Sequence, residues 1–162
     1  MTIHQFAVRL TATSLSSSIR EAAWVVPSVQ TLHIMAVTVV MSAALFLDLR
    51  IVGVLAEDVP IATYVRRYFR WWGFAVLVLL LSGLTLIIGE PSRTLQNWVF
   101  WTKMVLVAVG TALSILVAAP VWRDAAFWDG GSKRKAAAAL ATVSLLIWVA
   151  AVFCGRWIAY VL

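Results

Sequence analysis

The sequence predicts an all-α integral membrane protein: a four-helix bundle with short interfacial helices and both termini outward. Three observations predict it. Apolar residues make up 63% of the 162 residues and charged ones only 12%, against roughly 45–50% and about 25% in soluble domains. The apolar residues fall into four runs, each long enough to cross a hydrocarbon core of about 30 Å. Tryptophan and tyrosine gather at the ends of those runs, as in an interfacial aromatic belt.

Residues 1–23 form an interfacial N-terminal segment. It ends in SLSSSIREAAW, where Ser16, Ser17 or Ser18 caps a short helix with Glu21 in its first turn. Arg9, Arg20 and Glu21 interrupt it, so no removable signal peptide is expected and the first span directs insertion. Residues 24–162 form one transmembrane domain. Its first span covers about 24–47, with Pro27 near the start, where a missing N–H is tolerated, and Asp48-Leu49-Arg50 at the end. Residues 51–70, with Glu57, Asp58, Pro60 and the run TYVRRYFRWW, suit a surface segment in the headgroup layer. The second span, about 71–89, stops at Gly89-Glu90-Pro91. The third covers about 98–122, and its continuation RDAAFWDGGSKRKAA reads as a loop broken at Gly130-Gly131. The fourth covers about 136–160.

Charge sets the orientation. The first and third loops hold Arg50, Arg66, Arg67, Arg70, Arg123, Lys133, Arg134 and Lys135, eight of the 13 basic residues; the other side holds Arg9, Arg20, Arg93, Lys103 and Arg156. The positive-inside rule puts the richer side in the cytoplasm and both termini outside. The net charge of +6 therefore reflects topology and anionic headgroups rather than nucleic acid. The bilayer is the expected environment, as a multi-pass protein of the bacterial inner (cytoplasmic) membrane. Trp24, Trp98, Trp101, Trp157 and Tyr160 are expected in the outer belt, with Trp71, Trp72 and Trp122 in the inner one. Cys154, the single cysteine, excludes an internal disulfide and reads as a small apolar filler.

The polar residues of the outer half carry the functional expectation, because ionisable groups in a span are costly and rare. Gln30 and His33 are three apart on one face of span one. Lys103 lies early in span three and Arg156 late in span four, with Glu90 the one acid near them. Lys103, Val107, Gly110 and Ser114 form a stripe where a helix or a flat ligand can approach closely. An imidazole and two cations fit a b-type haem, with His33 as axial metal ligand and the propionates on Lys103 and Arg156. The second axial ligand would come from Met35, Met41, Met104 or His33 of another protomer; His4 is remote. A quinone hydrogen-bonded by His33 and Gln30 fits as well. Against these stand plainer roles: His33 as a helix–helix hydrogen-bonding group, and snorkelling of Lys103 and Arg156. Asp48 and Arg50, two apart, do not face each other and read as anchors, Asp48 meeting an arginine of the first loop. No phosphate loop, paired intramembrane carboxylates, nucleophile elbow or HExxH helix is present.

Four stretches, SIREAAWVVPSVQTLHIMA, LFLDLRIVG, FWTKMVLVAVG and GRWIAYVL, together resemble a family of small bacterial four-helix inner-membrane proteins catalogued only as a domain of unknown function. The similarity runs from about Ser14 to Leu162 and rests on the Trp-x-x-Pro-x-x-Gln-x-x-His, Asp-Leu-Arg and Gly-Arg-Trp-Ile-Ala-Tyr pieces. The resemblance implies a fold, not an activity. It also implies a further histidine near the inner end of span three, where this chain reads SILVAAPVW. A first-span histidine in a four-helix bundle is loosely similar to cytochrome b561-like and copper-resistance membrane proteins. The leading expectation is thus a membrane redox or cofactor-binding subunit, a b-type haem electron-transfer protein using His33, with a homo-oligomer or a membrane or periplasmic redox partner. The alternatives are a non-catalytic scaffold or accessory subunit, and a small-solute or metal transporter.

Overall fold

A computed structural model of the chain describes residues 2–55 and 58–161; Glu57, expected in a surface segment, lies outside the described residues. The elements are α1 (Ile3–Thr11), α2 (Ser14–Glu21), α3 (Val25–Val52), α4 (Ile61–Gly89), α5 (Pro91–Leu95), α6 (Trp98–Arg123) and α7 (Gly131–Trp157), with no strand among the described residues. The four long helices have 28, 29, 26 and 27 residues, roughly 40 Å each at about 1.5 Å per residue. All four are apolar and long enough to span a membrane. This is a multi-pass helical bundle, and its apolar outer faces belong in lipid. Four successive spans put α1 and the last turn of α7 at one end of the bundle, the end expected to face outward from the charge count.

The expected spans survive with changed ends. Helix α4 starts at Ile61 rather than Trp71, because after Pro60 nothing in TYVRRYFRWW breaks a helix; Arg66, Arg67 and Arg70 are exposed on its first turns. Lys133, Arg134 and Lys135 lie in the first turns of α7, not in a loop. The N-terminal segment holds two helices. Thr13 caps the second, accepting from the Ser16 N–H, so Ser16, Ser17 and Ser18 are inside it and Glu21 closes it. Trp72 is also not a belt residue: it is buried with Val40, Ala43, Ala44, Ala75 and Trp148. Trp24, Trp71, Trp98 and Trp157 remain exposed, as an interfacial belt requires.

Helices α3 and α7 are the central pair: α3 packs on α4, α7 on α6, while α4 and α6 barely meet. Small residues form the seams, as expected where lipid gives no hydrophobic drive for helix association. On α7 the buried stripe is Ala137, Ala141, Ser144, Trp148 and Ala151. Trp148 lies over Gly110 of α6 and donates its indole N–H to Ser114 at 3.3 Å. That contact uses the Gly110–Ser114 stripe seen in the sequence, with a ring of the protein itself as the flat group. At the outer end α1 is drawn down through Ala7, which packs with Leu95, Phe100, Ile87 and Ile158. Asn97 clamps the outer ends of α6 and α7, donating to the Val161 carbonyl at 2.7 Å and the Ile158 carbonyl at 3.3 Å.

A β-carbon added at Gly110 would lie 3.0 Å from Trp148 Cε2, whereas one at Gly73 would meet nothing within 4 Å. Gly110→Ala is therefore expected to cost roughly 1–3 kcal/mol by overpacking. Gly73→Ala should be neutral to mildly stabilising through helix propensity. Thermal unfolding of the two variants in detergent tests the pair; equal melting would show that the Trp148 contact is not tight.

Candidate functional site

The site builds from His33. Its ring leans from α3 onto α4, where Ser82 Oγ lies 2.8 Å from Nδ1. Ser82 has one proton, and its Oγ also lies 2.6 Å from the Val78 carbonyl one turn back, which can only accept. The hydroxyl thus donates to Val78 and accepts from His33, so the proton of the neutral imidazole is on Nδ1. Nε2 is left as a bare nitrogen with its lone pair free. No hydrogen bond to Nε2 is formed among the described residues. Gly83 lets α4 approach, its position for a β-carbon being 3.6 Å from His33 Cε1.

Lys103 is the second member. It projects from α6 across α7, its Nζ 3.3 Å from where a Gly155 β-carbon would sit. Glu90 does not neutralise it. That carboxylate is exposed and paired with Arg93 at 3.2 Å, the one salt bridge among the described residues. An ammonium in the outer half of a span, without a carboxylate partner there, is an attractor for an anionic or carbonyl oxygen.

The other expected site residues do not join these two. Arg156 is exposed, donates to the Tyr160 hydroxyl at 2.6 Å and lies over that ring, 5.0 Å from its centre. Gln30 is exposed on the lipid side of α3. Met35 and Met104 are exposed too, while Met41 packs in the core cluster that holds Trp72 and Trp148. The structure therefore sets His33 on the α3–α4 pair and Lys103 against Gly155 of α7, and leaves Arg156, Gln30 and Met104 exposed. Depth in the bilayer is common to all of them; the direction around each helix axis separates them. Ser82 was missing from the expected set, although a serine followed by glycine in the apolar run of α4 is a visible signal. Among the described residues no group of three His, Cys, Asp or Glu side chains is placed to hold a metal ion. His33 alone thus offers one ligand, enough for haem iron but not for a protein-caged metal.

Asp48, expected as an anchor, is buried at 3% exposure. No ion pair joins it to an arginine of the first loop among the described residues. Arg50 is buried as well, its Nε–H donating to the Val59 carbonyl.

Fold and site together define a small polytopic helical membrane protein with one free imidazole nitrogen in its outer half. The chain belongs to a family of unknown function (DUF6644), whose model matches residues 19–161. No curated protein and no solved structure matches it.

The tautomer is directly measurable. Nitrogen-15 NMR of imidazole-labelled protein in bilayers should show His33 protonated at Nδ1, with Nε2 bare. Ser82→Ala should mix the tautomers and loosen α3 from α4 by roughly 0.6–1.7 kcal/mol, the range of polar helix–helix contacts in membranes. An Nε2–H signal in the wild-type protein would contradict the assignment.

Proposed function

We propose that this protein is a cofactor-binding redox subunit of the bacterial inner (cytoplasmic) membrane, with a b-type haem held in the outer half of the bundle by His33. The single observation that carries this is the His33–Ser82 hydrogen bond. A neighbour that accepts from Nδ1 fixes the ring and raises the basicity of Nε2, the arrangement in which imidazole serves as a metal ligand. Lys103 supplies one cation for a propionate. The loose seam between α4 and α6 supports lateral entry of a flat apolar group from lipid. Haem iron would provide one-electron chemistry; the chain's own part is to ligate, orient and neutralise.

The fit is partial in two respects that define the complex to look for. Arg156, turned to Tyr160, leaves the second propionate to the headgroup region. With Met35 and Met104 facing outward and Met41 in the core, a sixth ligand would come from a second copy of the chain or from a redox partner. A quinone is the related ligand for the same two groups, its quinol hydroxyl donating to Nε2 and Lys103 meeting an oxygen.

The scaffold reading has one observation in its favour: His33 already ties α3 to α4 without any ligand. Transport is less well supported, because solute sites in transporters are built from broken helices and the four long helices are continuous among the described residues.

Protein purified from haem-replete cells should show a Soret band that His33→Ala abolishes and Lys103→Ala weakens, with the bundle still folded. Colourless protein of full thermal stability, taking up neither haem nor quinone, would support the scaffold instead.

A further inference from the structure

A second polar pair lies at the inner level of the bundle, apart from His33. Asp48 of α3 is 3% exposed and Ser144 of α7 is fully buried. Both lie on helices packed along one seam, α3 on α7, and neither Asp48 Oδ2 nor Ser144 Oγ closes a hydrogen bond with any group among the described residues. The Ser144 hydroxyl is one of the buried side-chain groups without a hydrogen bond among the described residues. Thr31, Thr38, Ser82, Thr85, Thr102 and Thr142 each return the hydroxyl to the carbonyl four residues back. Ser144 does not, and its hydroxyl is left in the seam with the carboxyl.

The charges around the pair decide what it holds. On α7 no charged residue lies between Lys135 and Arg156, and on α6 none lies between Lys103 and Arg123. On α4, Arg66, Arg67 and Arg70 are exposed, and Tyr64 and Tyr68 are half-buried. On α3 itself Arg50 is engaged through Nε–H with the Val59 carbonyl. A buried carboxylate without a facing cation takes up a counter-ion or a proton. A metal cation needs about six oxygens, and among the described residues no group of three His, Cys, Asp or Glu side chains is placed to hold one. One carboxyl and one hydroxyl are too few for a metal ion and sufficient for a proton.

We propose that Asp48 and Ser144 form a proton-binding site in the inner half of the membrane, with Asp48 holding the proton as a neutral acid and Ser144 as its hydrogen-bonding partner. Asp48 is four residues from the end of α3, about 6 Å along the axis, so exchange takes place with the inner surface. The Ser144 hydroxyl accepts from the neutral acid and, when the acid has lost its proton, turns its O–H to donate a hydrogen bond to the carboxylate. This site stands independently of any cofactor at His33.

Infrared spectroscopy of the full chain in lipid bilayers tests it. The other three aspartates, Asp58, Asp124 and Asp129, lie in the connections between spans. At neutral pH the wild-type protein should show the carbonyl stretch of one neutral carboxylic acid, which moves on labelling aspartate with carbon-13. Asp48→Asn should remove the band, and Ser144→Ala should shift it to higher frequency by removing its hydrogen bond. No aspartic-acid band in labelled wild-type protein at neutral pH would overturn the proposal, a result that needs no variant to fold. A band unmoved by Ser144→Ala would also overturn it, as would a band abolished by sodium at constant pH, which would make the ligand a metal cation.

Discussion

In hydrocarbon, a polar group finds its partner inside the protein or not at all, and helices gain little by hiding apolar surface from one another. The four long helices meet this by satisfying their own backbones and approaching closely where side chains are small. Ala43 and Ala44 of α3, Ala75 of α4, Ala118 of α6, and Ala137, Ala141 and Ala151 of α7 are all buried. Trp148 is buried between α6 and α7, with Gly110 beneath its ring and Ser114 on its N–H. The exposed leucines, valines and phenylalanines outside are the lipid-facing surface that such a bundle needs.

Within that frame the polar residues fall into three kinds. Thr31, Thr38, Ser82, Thr85, Thr102 and Thr142 give their hydroxyls back to their own helices. Trp128 N–H meets the Val117 carbonyl at 2.9 Å, beside Pro120, whose missing N–H interrupts the α6 ladder. A third kind has capacity left over: the free nitrogen of His33, the Lys103 ammonium, Asp48 and Ser144, and also the buried Trp72 N–H and Ser16 hydroxyl. An ionisable group in a span is costly if idle; His33 and Lys103 lie toward one end of the bundle, and Asp48 lies toward the other. Functional capacity in this chain is concentrated there.

Much of this was legible in the sequence. The four spans, the stop at Gly89-Glu90-Pro91, the close approach at Gly110 and Ser114, and His33 as an interior group all follow from hydropathy, breakers and spacing. The start of α4 did not, because hydropathy marks only the part of a helix that sits in hydrocarbon, and the arginine-rich turns below it are helical without being apolar. Arg156 and Gln30 were misplaced for a different reason. Sequence gives depth along a span, but in helices apolar on nearly every face the rotation about the axis is set by tertiary packing. The same uncertainty of rotation made Asp48 look like an anchor near a helix end when it is buried.

The central claim is that His33 Nε2 and Lys103 Nζ, from different helices, face one shared space that accepts a ligand. An experimental structure of the protein extracted with its native lipids measures this most directly. The account predicts density for a non-protein group within bonding distance of Nε2 and against Lys103. Clear density showing Nε2 buried against protein or acyl chain, with Lys103 extended to the headgroups, would contradict it.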